Sequence, residues 1–153
     1  MDTTATQEEI VALYHQALQQ WNKRNAAGMT ALLAPNGTFI GFDGSQLNGQ
    51  QEIYSVFDEI FTHFPTAAYV SIVKEVRILS ADAALLLAVA GMVAEGHTDI
   101  TPSVNAIHSI TATRIDGNWR IALFQNTPAA YHGHPELAEQ LTADLRAAMN
   151  GQV

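Results

Sequence analysis

Two long apolar stretches that meet at Asp116-Gly117 constrain this chain more than any other feature. Residues 103–133 read SVNAIHSITATRIDGNWRIALFQNTPAAYHG, and an Asp-Gly pair between runs of alternating side chains is a strong hairpin signal. Within these strands lie Asn105, His108, Gln125 and Asn126. A polar group buried in an apolar sheet costs about 1 to 3 kcal/mol unless it is paired, so the face each one takes matters.

The turn decides that face. A two-residue primed turn pairs Ile115 with Asn118 and sets His108 beside Trp119, Ile121, Leu123 and Gln125. A three-residue loop, Ile115-Asp116-Gly117 with a left-handed glycine and a bulge, pairs Arg114 with Asn118 instead. His108 then shares a face with Ala106, Ile110, Ala122, Phe124 and Asn126. The second arrangement is the expected one. Its alanines let helices approach, whereas the uniformly bulky Trp119, Ile121 and Leu123 suit a subunit interface. Asn105 and Gln125 are expected to face outward, toward that interface.

Upstream, the pattern is helical first. Thr6 followed by Glu9 has the form of a capping box, and Ile10, Leu13, Tyr14, Ala17, Leu18 and Trp21 then recur at helical spacing. A second short helix is predicted to carry Met29, Leu32 and Leu33 and to stop at Pro35-Asn36-Gly37. A short strand, Thr38–Phe42, runs into the turn Asp43-Gly44-Ser45. Asn48 and Gln51 form another box-like cap, followed by a helix with Ile53, Val56, Phe57, Ile60, Phe61 and Phe64 that ends at Pro65.

From Ala67 the grammar is that of strands. Tyr69–Leu79 places Val70, Ile72, Val76 and Ile78 on one side, with Lys74 as the exception, and Ala83–Ala94 follows across Ser80-Ala81-Asp82. Pro135 opens a last helix with Leu137, Leu141, Leu145 and Ala148 on one face. Helices first and a strand meander afterwards predict an α+β fold, with a core over residues 7–128 and a C-terminal helix over 135–149. One domain accounts for all 153 residues, of which 48% are hydrophobic and 14% charged. The outer face of the long apolar strands needs a cover, and a second copy of the chain is the simplest one.

Several function classes recede on composition. A net charge of -8, with seven Lys and Arg dispersed along the chain, supplies no basic stripe for nucleic acid or an anionic membrane. The absence of Cys excludes disulfides and thiolate chemistry. MDTTATQEE has neither a basic nor an apolar leader region, so a cytoplasmic location is expected. The apolar run Ala83–Ala94 is shorter than the roughly 20 residues of a membrane helix.

The order of elements, with the phrases AAGMTALLAPNGTFIGFDG, LNGQQEI and DGNWRIALFQNTPA, resembles the nuclear transport factor 2-like superfamily and, more narrowly, its SnoaL-like polyketide-cyclase branch. FIGFDGSQLNG, PTAAYV, NAIHSI and RIALFQNTPAAYHG are similar to the SgcJ/EcaC family of proteins encoded with enediyne clusters. The resemblance spans Gln7 to Pro128. It implies a cone-shaped curved antiparallel sheet (the cystatin-like or nuclear transport factor 2-like fold) wrapped around helices, a pocket between them, and a homodimer joined through the sheets. Relatives include ketosteroid isomerase, limonene epoxide hydrolase, polyketide cyclases and non-catalytic binding modules. The carboxylates of the catalytic relatives do not transfer, because the proposed inward face has no Asp or Glu. No cofactor is expected: Gly41-Phe42-Asp43-Gly44 reads as a hairpin-like turn and not as a dinucleotide fingerprint, so the oxidoreductase label of the SgcJ/EcaC family has no residue behind it.

The expected site follows. His108 is the candidate general base, since imidazole titrates near neutral pH. Asp43 at the pocket mouth and Tyr14 from the first helix are further candidates for acid, base or hydrogen-bond donor. Trp21, Phe39, Phe57, Phe61, Met92 and Phe124 are the expected wall, with Asn126 as its polar contact. His132, His134, His97 and Asp99 match no zinc spacing, and no metal is expected. The expected ligand is a hydrophobic polyketide- or terpenoid-like molecule. It is either turned over by cofactor-free acid/base chemistry of isomerase, cyclase or epoxide-hydrolase type, or held by a non-catalytic homodimer.

Overall fold

Residues 3–151 are described in a computed structural model of the chain. Helices α1 (Thr4–Asn22) and α2 (Ala26–Thr30) come first, then strands β1 (Leu33–Ile40) and β2 (Gln46–Asn48) and helix α3 (Gln50–His63). Strands β3 (Ala68–Ser80), β4 (Ala83–Val93), β5 (Ala106–Ile115) and β6 (Asn118–Pro128) follow, with a 3-10 turn (Pro102–Val104) before β5 and helix α4 (Pro135–Met149) at the end. The sheet order is β2-β1-β6-β5-β4-β3, so the hairpin at Asp116-Gly117 forms its centre. This is the expected α+β architecture, a curved sheet against helices, with one addition: β1 runs parallel to β6, which makes the sheet mixed.

The central turn differs from expectation in an instructive way. Asp116 and Gly117 both have positive φ, 51° and 80°. Ile115 pairs with Asn118, so this is the two-residue primed turn and not the three-residue loop. A bulge further along corrects the register. Ala112 pairs with Ile121 but Thr111 with Leu123, leaving Ala122 as the extra residue. Beyond the bulge His108 stands opposite Asn126 and Ile110 opposite Phe124, the inward set expected from the other turn. On the turn side of it Trp119 and Ile121 also point inward, 6% and 2% exposed. They belong to the core and not to a subunit surface.

A second bulge shapes β3. Val73 pairs with Ala88 and Glu75 with Leu87, so Lys74 is left over. Val70 and Ile72 therefore take the outer face, while Val76 and Ile78 pack inward on the main core. The four do not share one side as the simple alternation suggested. Each bulge also bends its strand, which helps the sheet curl around α1. Ile10, Tyr14 and Ala17 of α1 are fully buried against it, and burying one such large apolar side chain is worth roughly 1.5–3 kcal/mol.

The outer face is covered in part by the chain itself, where a second copy was the expected cover. Leu141 and Leu145 of α4 pack on Val89 and Ile100, with Val70, Ile72 and Ile107 around them. Asn105 is drawn into this layer: it is 5% exposed and its Nδ2 donates to Thr142 Oγ1 at 2.8 Å, so it does not face a dimer surface.

Local signals shifted by a few residues. α1 starts after Thr3 and α3 after Gly49, neither position making a side-chain cap, and the Asn48 backbone N–H instead donates to Glu52 Oε2. Leu33 opens β1 and does not continue α2. Pro35, which has no N–H to pair, sits in the irregular stretch between the Leu33–Ile121 and Thr38–Leu123 pairs. Among the described residues no helix is long and apolar enough to cross a membrane.

Candidate functional site

A cavity of about 560 Å³ opens between the inner sheet face and the helices. Helical spacing places Val56, Phe57 and Ile60 of α3 on one wall. Trp21 from the end of α1, Phe39 from β1, Met92 from β4 and Asn126 from β6 line it too, and the turn Phe42–Ser45 with Leu47 forms the mouth. The aromatic wall is rigid by contact. Phe57 meets Trp21 and Phe39 edge-on, with centroids 5.7 and 4.9 Å apart. The Trp21 indole N–H is committed to the Ala67 carbonyl at 2.9 Å.

Of the expected wall, Trp21, Phe39, Phe57, Met92 and Asn126 line the cavity. Phe61 and Phe124 do not. Phe61 packs behind Trp21 and Phe57, and Phe124 lies under Phe39 in a stack at 4.9 Å.

His108 and Tyr14 are brought together, but below the cavity floor and not on its wall. Both are 0% exposed, and the Tyr14 hydroxyl lies 2.8 Å from His108 Nδ1. Burial pushes the His108 pKa down to about 3, the smaller influence of Asn126 acting the other way, so the ring is neutral near pH 7. So weak a base, out of contact with the hollow, is poorly suited to abstract a ligand proton. Burial also pushes the Tyr14 phenol upward, and its hydroxyl is spent on His108 rather than on a ligand.

Asn126 links this pair to the cavity. Asn126 favours the protonated His108 ring, yet no hydrogen bond joins the two side chains, and His108 Nε2 and Asn126 Oδ1 are both buried without a partner. Its Nδ2 donates to the Tyr69 hydroxyl at 3.3 Å. Tyr69 is itself on the cavity wall, and burial pushes its pKa up to about 12, which keeps it protonated. Asn22 at the end of α1 fixes the Tyr69 backbone, accepting from its N–H at 2.7 Å and donating to its carbonyl at 3.3 Å.

Asp43 is exposed at the mouth. It accepts from the Ser45 backbone N–H and hydroxyl, both at 2.9 Å, and these bonds hold its carboxyl below the usual range. It is ionised and engaged in its own turn. The histidines of the C-terminal loop do not gather: among the described residues no three His, Asp or Glu side chains are placed to hold a metal ion. Asp99 is instead held by Arg146 through contacts of 2.8 and 3.0 Å.

Tyr69, Leu47, Phe42 and Val104 are lining residues that sequence reasoning missed. For Tyr69 a signal existed. Val70 and Ile72 face outward, so Tyr69 and Ser71 alternate inward at the start of β3, an aromatic hydroxyl entering an apolar face.

Residues 10–129 match the SnoaL-like domain. No curated protein matches the chain. A cystatin-like domain of unknown function from Nostoc punctiforme is similar over 98% of this chain and 99% of its own, at 25% identity and a TM-score of 0.79. A cystatin-like protein from Caulobacter vibrioides matches over 84% and 93% at 17% identity (TM-score 0.71). A ketosteroid isomerase-like protein from Erwinia carotovora atroseptica matches over 83% and 98% at 18% identity (TM-score 0.66). The shared cone of curved sheet and helices, together with the match across most of the sequence, places the chain in the SnoaL-like domain family.

Proposed function

We propose that this protein is a small-molecule pocket protein that binds a hydrophobic, oxygen-bearing metabolite of polyketide or terpenoid type inside the cone. The observation that carries the reading is the cavity itself: about 560 Å³ walled by aromatic and aliphatic side chains, with a polar group, Asn126, at its inner surface. That composition matches sites for largely apolar ligands with one or two fixed polar contacts. The resemblance of FIGFDGSQLNG and NAIHSI to enediyne-cluster proteins supports a secondary-metabolite ligand. Binding without turnover is favoured over acid/base catalysis, because the neutral His108 lies outside the hollow and Tyr14 is committed to it. Pairing of two copies would use the outer sheet face that α4 leaves open, where Leu85, Leu87 and Leu123 are half-buried.

Calorimetric titration with a terpenoid ketone (nootkatone) and an aromatic polyketide (emodin) tests the reading. Saturable binding with a negative heat-capacity change is expected, and it should be lost in the Val56→Phe/Met92→Phe double variant that fills the cavity. Absence of binding by both compounds, or binding unchanged in the filled variant, rejects it.

A second reading, turnover of isomerase, cyclase or epoxide-hydrolase type, rests on Asp43, the one carboxylate lining the cavity among the described residues. It requires that Asp43→Asn abolish product formation from a bound compound while leaving its affinity intact.

A further inference from the structure

We propose that Tyr69 is the group that reads the ligand's buried end, its O–H fixed as a donor by a relay through Tyr14, His108 and Asn126, so that the ligands selected carry a neutral acceptor oxygen such as a ketone, lactone or epoxide. The proposal rests on the reading of the cone as a small-molecule pocket and adds what that pocket selects.

The argument follows the protons. A neutral imidazole has one N–H. The Tyr14 hydroxyl oxygen sits 2.8 Å from Nδ1, and the inward-facing Ser71 side chain favours the ionised phenol, as a donor beside it does. A Ser71 hydroxyl turned to the phenol oxygen would send the Tyr14 proton to Nδ1 and leave the His108 proton on Nε2. Nε2 has no partner of good geometry, and neither does Asn126 Oδ1 across the strand pair from it. His108 and Asn126 are cross-strand partners on the inner face, and with Nδ2 turned to Tyr69 the carboxamide atom left for the ring is Oδ1. Nδ2 in turn donates to Tyr69 at 3.3 Å. Having accepted that bond, the Tyr69 oxygen directs its own proton elsewhere, and the cavity is the space it borders.

The other polar side chains on the wall are already engaged. Trp21 N–H is bound to Ala67 O, and the Ser45 hydroxyl is bound to Asp43. Among the described residues the lining holds no Lys or Arg, so an anionic end would enter the apolar hollow without a counter-charge. A neutral oxygen acceptor satisfies Tyr69, whereas a hydrocarbon leaves its proton buried without a partner.

The test uses three probes on one skeleton: 2-acetylnaphthalene, 2-ethylnaphthalene and 2-naphthoate. Their affinities are measured by quenching of Trp21 in the Trp119→Phe protein, which leaves Trp21 as the single tryptophan. The ketone is expected to bind about tenfold more tightly than the ethyl compound, a ratio typical of one buried hydrogen bond, and the carboxylate more weakly than either. In Tyr69→Phe, which keeps the ring in the wall, the ratio should fall to about one. In Tyr14→Phe it should fall partway, and the ¹⁵N spectrum of His108 should lose its fixed Nε2–H tautomer, a change that mere loosening of the core would not produce. A ketone preference that persists in Tyr69→Phe, equal binding of the two neutral probes to the parent protein, or a His108 ring protonated on Nδ1 overturns the inference and leaves the pocket reading standing. Failure of all three probes to bind overturns both.

Discussion

Tyr14 on the first helix and His108 on the central hairpin are 94 positions apart, yet their side chains meet at 2.8 Å with no exposure to solvent. The contact ties α1 to the middle of the sheet by a buried hydrogen bond. Tyr14→Phe removes the hydroxyl and leaves a buried ring nitrogen unpaired. The expected loss is about 1–3 kcal/mol of unfolding free energy. Urea denaturation should show a lower midpoint with an unchanged slope, because the surface exposed on unfolding hardly changes.

The same burial makes stability depend on pH in a defined direction. The His108 pKa is about 3 in the folded chain against 6.5 for the free side chain, so below pH 6.5 the unfolded chain binds a proton that the folded one does not. The stabilisation is fully present above 6.5 and is lost as pH falls from there toward 3, at up to about 1.4 kcal/mol per pH unit. His108→Gln removes this titration. The difference in unfolding free energy between parent and variant should therefore shrink steadily between pH 7 and 5, and a constant difference would show that burial does not suppress protonation of His108.

Much of this was legible in the chain, and the gaps have physical causes. Helical spacing located α1, α3 and α4, because burial of one stripe leaves a period in the sequence. The strand faces were harder, since a bulge changes the face without changing composition: Ala122 and Lys74 look like ordinary strand residues. The inward pairing of His108 with Asn126 was reached through a turn type that does not occur, the bulge at Ala122 supplying the missing shift. The partnership of His108 with Tyr14 could not be read at all, since nothing local connects positions so far apart. The inward alternation of Tyr69 left a local signal, but its partnership did not, arising only when the sheet curls to bring β3, at its edge, to Asn126 of β6.

Gly91 marks how closely α4 approaches the outer sheet face. A methyl group there would lie 2.9 Å from Leu145 Cδ1 and 3.1 Å from Asn105 Oδ1, both on buried residues. Gly91→Ala is therefore expected to push α4 outward and to cost roughly 1–3 kcal/mol, as overpacking does. Limited proteolysis should release the segment after Pro128 faster than in the parent. Equal cleavage rates would mean that the helix does not rest on this point.

Lys74 separates the role of a side chain from the role of a position. Its side chain is exposed, so Lys74→Ala should change stability by no more than about 0.5 kcal/mol. Deleting the residue is a different experiment. Lys74 is the extra residue of the bulge, so without it Glu75 follows Val73 directly, and simple alternation keeps Tyr69, Ser71, Val73, Val76 and Ile78 all facing inward. What the deletion takes away is the bend that the bulge gives β3. The deletion variant should therefore still melt in one cooperative transition, with a midpoint below that of Lys74→Ala because β3 curls less closely around α1. Loss of the cooperative transition in the deletion variant would show that β3 cannot pack on the core without the bulge.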